Sequence, residues 1–468
     1  MISIELEDIQ GLIVKGYGRM HNSRYVMLQI TNALLAKAWI HSISAGITNA
    51  THFVSTNCLN IAFTSKGLSA IGLSEENIQN FSLEFREGID TPHRQRLLGD
   101  YGKSEPKNWN WGGPEKEDLH ILLLIFGATE QLTREYYEKL KQQFPSAGLS
   151  ELGILDGQSL PENKEHFGFR DGFAQPIIEG TGRTGHTFNT VASGEFIMGY
   201  KNEYDVFPDS PIISEAQGNM NLLPADASGT GYKDIGRNGS YMVLRQMEQD
   251  VAAFWTFMNE KTKNEDGSVN SEESVRLASK MMGRWPSGTP LVRHPEKDPG
   301  ILTDDDSFEY ASDKEGVKCP FGSHIRRINP RDTFEDNGTK ESLKLTKRHR
   351  LLRRGRLYGS PFEGSPEKHT PEGEVGLLFL CFNADIGKQF EFLSYTWGNY
   401  PNVKELYEDP DPIIGVREVP MDGYEQNFTI QGNPVSECIT GLRRFVTIKG
   451  GAYFFFPSIT AIRYLTTI

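Results

Sequence analysis

The sequence predicts an α+β fold built twice, and two pairs of stretches carry that prediction. "YVMLQITNALLAKAWI" (25–40) and "YMVLRQMEQDVAAFWTF" (241–257) share one grammar. Each is an apolar strand-like run followed by an amphipathic helix, with Trp39 and Trp255 near matching points. "HILLLIFGATEQLTREYYEKL" (120–140) and "GLLFLCFNADIGKQFEFLSYTW" (376–397) form a second pair, a short buried strand and then a helix with apolar positions at three- and four-residue spacing. Strand-helix units that recur in two halves argue for a duplicated domain, each half an antiparallel sheet covered by helices.

The length of 468 residues fits about two to three domains, and 37% hydrophobic with 24% charged residues reads as globular. A formal net charge of -13, without a Lys/Arg block, argues against nucleic acid or an anionic membrane as partner. The apolar runs are far shorter than the ~20 residues of a membrane span. "MISIELEDIQGLIVKGYG" carries early acids and no signal-like pattern, and the four scattered cysteines show no CxxC spacing. The expectation is a cytoplasmic chain without disulfides or zinc.

Three Phe side chains crowd an adjacent Arg-Asp pair, Arg170 and Asp171, in "FGFRDGFAQP" (167–176). A carboxylate carried in beside apolar rings is costly unless something answers it. Either Arg170 pairs with it at a surface turn, or Asp171 points into a dry pocket to do chemistry. Between the halves, residues 180–238 read as long loops. Their "GTGRTG" (180–185) opens no apolar helix and so fails as a dinucleotide fingerprint. The acids of "KNEDGSVNSEES" (263–274) miss the spacing of a calcium loop.

The other dense stretch is "CPFGSHIRRINPRD" (319–332), where His324 neighbours Arg326, Arg327 and Arg331. Nearby arginines are expected to keep the imidazole neutral, as a metal ligand must be, and would suit an anionic cofactor bearing carboxylates.

"FGFRDGFAQP", "HIRRINPR" (324–331), "RLLRRGRLYGSP" (350–361) and "GLLFLCFNADIGKQFEF" (376–392), with "DIQGLIVKGYG" (8–18) at the start, together resemble the dye-decolorizing peroxidases, in particular their larger bacterial and fungal subgroup. The resemblance implies two ferredoxin-like domains, residues 1–190 carrying the GxxDG motif and residues 191–468 binding haem. One haem b per chain would lie between them. By motif, His324 is the proximal iron ligand, and Asp171 and Arg353 form the distal pair. Arg331 is a propionate partner, and Glu391 is the acid that hydrogen-bonds His324. Leu377 and Phe379 wall the distal pocket. Where the family carries a small apolar residue and proline after "RRG", this chain has Arg356 and Leu357.

The implied activity reduces hydrogen peroxide and oxidises dyes, phenolics and small donors through a ferryl intermediate. Asp171 would serve as base and then acid, and Arg353 would stabilise developing negative charge. Bulky donors would pass electrons through surface aromatics, Tyr358 first, then Trp397 with Tyr395. The alternative is a haem carrier or iron-retrieving protein with little peroxide turnover. A homo-oligomer is compatible with the chain.

Overall fold

The protein is described by a computed structural model covering residues 4–52, 56–334, 340–404, 406–416 and 426–468. Its first half supplies strands β1 (Asn22–Ile30), β2 (Asn57–Phe63), β3 (Ile121–Gly127) and β4 (Leu149–Gln158). The second half supplies β5 (Ser240–Gln249), β6 (Arg356–Tyr358), β7 (Gly376–Asn383) and β8 (Val446–Phe456). Within the first half the spatial order is 4-1-3-2, and the second repeats it as β8-β5-β7-β6. Two seams join the halves, β6 to β4 through Leu357 and Gln158, and β2 to β8 through Phe63 and Phe455. Every pairing in this ring is antiparallel, so the sheet closes on itself as a barrel and these eight strands leave no open edge.

The paired stretches of sequence fall on equivalent elements. Helix α1 (Ala33–Ile43) follows β1 as α3 (Val251–Thr262) follows β5, and Trp39 and Trp255 are both buried in them. Helix α2 (Glu130–Lys141) follows β3, and wide π-type helical turns (Gly387–Glu391 and Leu393–Asn399) follow β7. Side chains of Asn32, Thr129 and Asp250 accept from the first-turn amides of α1, α2 and α3, satisfying donors the helices cannot use themselves.

Alternation along the strands builds two cores. Val26 and Leu28 pack with Trp39 and Ile40 in the helix layer. Tyr25 and Met27, on the opposite face, pack with Leu12, Ile13 and Tyr17 inside the barrel. The short helix Gly11–Lys15 therefore plugs the barrel. Arg354 and Arg356 hold its end: Arg354 Nε and Nη2 donate to the carbonyls of Leu12 and Ile13 at 2.9 and 2.6 Å, and Arg356 Nη2 donates to those of Gly16 and Tyr17 at 3.2 Å each. Cations suit the negative end of a helix. All four cysteines are free, and no helix among the described residues is long and apolar enough to cross a membrane.

Candidate active site

The phenylalanines around Asp171 divide their labour. Phe167 and Phe169 pack into the layer of α3, Phe167 at 4.4 Å from Phe254 and Phe169 stacked on Trp255 at 6.3 Å, while Trp255 Nε1 donates to the Phe167 carbonyl. Gly168, at φ +98°, lets the loop press on the carbonyl of Gly364, where a Cβ would collide. Glu165 closes the loop by accepting from the amides of Phe167 and Phe169. Burial outweighs those bonds and pushes its carboxyl up to about 7.

Arg170 turns away from its neighbour and pairs with Asp304 at 2.8 Å. Asp171 is left facing a cavity of about 1030 Å³ that Arg353, Phe173, Leu377 and Phe379 also line. Arg353 Nη1 donates to Asp171 Oδ1 at 3.1 Å, and the Arg353 amide donates to Gln175 Oε1 at 2.9 Å, which ties both partners of the pair together. Forty per cent of the Asp171 side chain is open to this cavity, although protein surrounds it. Burial alone would raise its pKa. The charge of Arg353, the Gly172 amide and the charge of His324 outweigh burial and hold the carboxyl below its usual range.

His324 opens the short helix His324–Ile328, seated by Ser323 Oγ donating to the Lys280 carbonyl. Its Nδ1 lies 2.9 Å from Asp411 Oδ2. Asp411 is fully buried, and its Oδ1 accepts from the amides of Ile413 and Ile414 at 2.9 and 3.0 Å. Burial lowers the imidazole's pKa, but Asp411 raises it more; Arg353 and Asp171 also act on it, so His324 lies within electrostatic reach of the Asp171–Arg353 pair.

Several expectations need correction. The acid on His324 is Asp411, not Glu391: Glu391 Oε1 accepts from Arg94 Nε at 2.7 Å and from the Tyr453 hydroxyl at 2.8 Å. Arg331 does not line the cavity, and its guanidinium is committed to Asp306 and the Phe308 carbonyl. Arg326 and Arg327 are likewise buried on other partners, Asp313 for the first and the carbonyls of Trp397, Tyr400 and Asp409 for the second. None of the three is aimed at the imidazole; the arginine acting on it is Arg353. Tyr358 and Trp397, expected near the surface, are both buried. Tyr358 donates to Glu374 at 3.0 Å, and Trp397 packs against His349 and Phe392, while Tyr395 is exposed. Leu377 and Phe379 do share the cavity with Asp171 and Arg353.

Sequence reasoning missed Asp411 and Gln175. Asp411 sits in "EDPDPIIG", where an acid between prolines runs into buried isoleucine, and that pattern was its available signal.

The donor set fits a haem. Asp411 fixes Nδ1, which leaves Nε2 as the ligating nitrogen, and Nε2 makes no hydrogen bond among the described residues. The cavity adds apolar walls beside one carboxylate and one guanidinium.

Comparison with known proteins agrees. Residues 8–161 match the family profile described as the DyP dimeric alpha+beta barrel domain. A multifunctional dye peroxidase of Amycolatopsis sp. is 27% identical over 99% of this chain and 94% of its own, and a dye-decolorizing peroxidase of Exidia glandulosa is 28% identical over 98% and 87%. The crystal structure of a DyP-type peroxidase from Anabaena sp. superposes with a TM-score of 0.77 at 25% identity, covering 98% of this chain and 94% of that one. An ancestral D-type dye-decolorizing peroxidase reaches a TM-score of 0.80 at 24% identity, with both chains covered fully. A deferrochelatase of Escherichia coli matches over only 19% of this chain, at 33% identity. The duplicated barrel, the full-length relatives and the profile over residues 8–161 make the chain similar to the dye-decolorizing peroxidases along nearly its whole length.

Proposed function

We propose that the protein is a haem b peroxidase that reduces hydrogen peroxide and oxidises dyes, phenolics and smaller electron donors. The observation that carries this reading is the Asp171–Arg353 pair, held at 3.1 Å on the cavity wall within electrostatic reach of a histidine that Asp411 orients. His324 Nε2 would hold the iron. Haem, when bound, supplies the redox chemistry that takes oxidising equivalents from peroxide and passes them to a donor.

The protein's own contribution is proton movement and charge. Asp171, held ionised by Arg353, takes a proton from one peroxide oxygen and returns it to the other, which then leaves as water. Arg353 stabilises the negative charge that develops on the departing oxygen. The Arg353 amide bond to Gln175, and the bond from the Asp171 amide to the Asn163 carbonyl at 2.9 Å, keep the two groups in register. Leu377 and Phe379 give the cavity apolar wall beside the carboxylate.

Simple haem carriage needs neither Asp171 nor Arg353. Stopped-flow mixing of the haem-loaded protein with peroxide separates the readings. Asp171→Asn is expected to slow the first spectral change by about two orders of magnitude or more. In the wild type that step should also fail as the pH falls through the depressed pKa of Asp171, because a base must be ionised to act. Unchanged rates in the variant would move the chemistry elsewhere, and wild-type protein that binds haem without peroxide turnover would favour the carrier.

A further inference from the structure

Residues 182–186 of the loop "GTGRTGHT" (180–187) line the active-site cavity, Arg183 and His186 among them. Arg183 is exposed and makes no hydrogen bond or ion pair among the described residues. Three acids on the same lining, Asp304, Asp305 and Asp306, are already answered by other arginines. Asp304 pairs with Arg170 at 2.8 Å, Asp305 with Arg293 at 2.6 Å, and Asp306 with Arg331 and, at 3.5 Å, Arg284. Those acids therefore leave little negative charge to satisfy Arg183.

On the adjoining lining, Arg354 and Arg356 give their hydrogen bonds to neutral backbone carbonyls. Their charges are solvated by dipoles and are not cancelled by a carboxylate. Arg354 also feels Arg183 and Arg356 as like charges, which adds to the burial that lowers its pKa. A chain with a net charge of -13 thus keeps three arginines without a carboxylate partner, Arg183, Arg354 and Arg356, on the lining of one cavity. Positive charge left unpaired in a cleft raises the local concentration of anions.

We infer that Arg183, backed by Arg354 and Arg356, forms a subsite for the carboxylate or sulfonate of an organic anion. A guanidinium presents two parallel N–H donors that match such a group. Two sources carry this chemistry, an anionic electron donor entering the cavity and a propionate of the haem itself. The inference deepens the peroxidase reading and rests on it for the identity of the donor.

The test uses haem-loaded wild type, Arg183→Gln and Arg183→Lys, and two readouts that need no turnover. One is the dissociation constant for benzenesulfonate by calorimetry, with neutral phenol as control; the other is the rate of haem transfer to excess apomyoglobin. An anionic-donor subsite predicts that Arg183→Gln weakens benzenesulfonate about tenfold and leaves phenol binding and haem transfer unaltered. It also predicts that Arg183→Lys recovers part of the loss and that added salt weakens wild-type binding. A propionate subsite predicts haem transfer about tenfold faster in Arg183→Gln, and less so in Arg183→Lys. Wild-type values for both readouts in Arg183→Gln would overturn the proposal. If the wild type lacks peroxide turnover while either readout still depends on Arg183, the subsite stands and the peroxidase reading falls.

Discussion

Asp411 divides its two oxygens between His324 Nδ1 and the amides of Ile413 and Ile414, so the imidazole is held by a group that is itself held. Partners of this kind fix ring orientation and raise ligand basicity. Asp411→Ala should weaken haem retention about 10- to 100-fold. Haem transfer to apomyoglobin measures this, and Glu391→Gln should leave that rate near wild type. A second carboxyl, Glu195, is buried and accepts from the Glu203 amide at 2.9 Å. Burial pushes it from an ordinary 4.5 up to about 7. The folded state therefore binds this proton more tightly than the unfolded chain does. Its contribution favours folding at low pH and is lost as pH rises from about 4.5 to about 7. Glu195→Gln removes the penalty and should stabilise the protein by about 1–3 kcal/mol at pH 8, with the gain vanishing near pH 4, below the ordinary carboxyl value. Thermal unfolding of both proteins at the two pH values checks it. At this scale the sequence was legible where a motif is local. Asp171 stood out in its Phe- and Gly-rich stretch, Arg353 was implied by the resemblance of "RLLRRGRLYGSP", and the two do meet in space. Glu391 was assigned by matching "QFEF" to the family motif, whereas Asp411 reaches His324 from a loop 87 residues away in sequence. Nothing in local spacing reports a contact made by the return path of a loop.

The plug helix Gly11–Lys15 has five residues, too few to be stable alone, and its persistence depends on what holds it. Four of its residues are buried, and Arg354 and Arg356 bind the carbonyls at its end. Burial, with Arg183 and Arg356 adding repulsion, lowers Arg354 to about 9, so its charge is kept at a cost that those carbonyls offset. Arg354→Met keeps much of the volume but leaves the Ile13 carbonyl without that donor. The expected loss is about 2–4 kcal/mol, read by urea unfolding. A loss below about 0.5 kcal/mol would show that the clamp is incidental. The departure at Arg356 and Leu357 acquires a structural meaning here. Arg356 points to the plug helix, and Leu357 supplies the register pair with Gln158 that closes one seam of the barrel. The sequence showed the departure, but its consequence depends on a pairing across the two halves, which periodicity within one segment does not contain.

Across the whole molecule, both halves have the same strand order and the site draws on both. Asp171 lies in the connection that follows β4, while Arg353, His324 and Asp411 come from the second half. The duplication was legible because each strand-helix unit carries its own alternation and helical spacing, which survive divergence of individual residues. Closure into one barrel was not legible, since each seam rests on a single register pair, Leu357 with Gln158 and Phe63 with Phe455. The central claim, that His324 ligates a haem in this barrel, is tested most directly by the visible spectrum and haem stoichiometry of the purified protein beside His324→Ala. The wild type should bind one haem per chain with a histidine-ligated spectrum. His324→Ala should fold, as judged by circular dichroism, yet lose most of its haem, and added imidazole should restore ligation. A variant that keeps one haem per chain with the wild-type spectrum and no added imidazole would contradict the account.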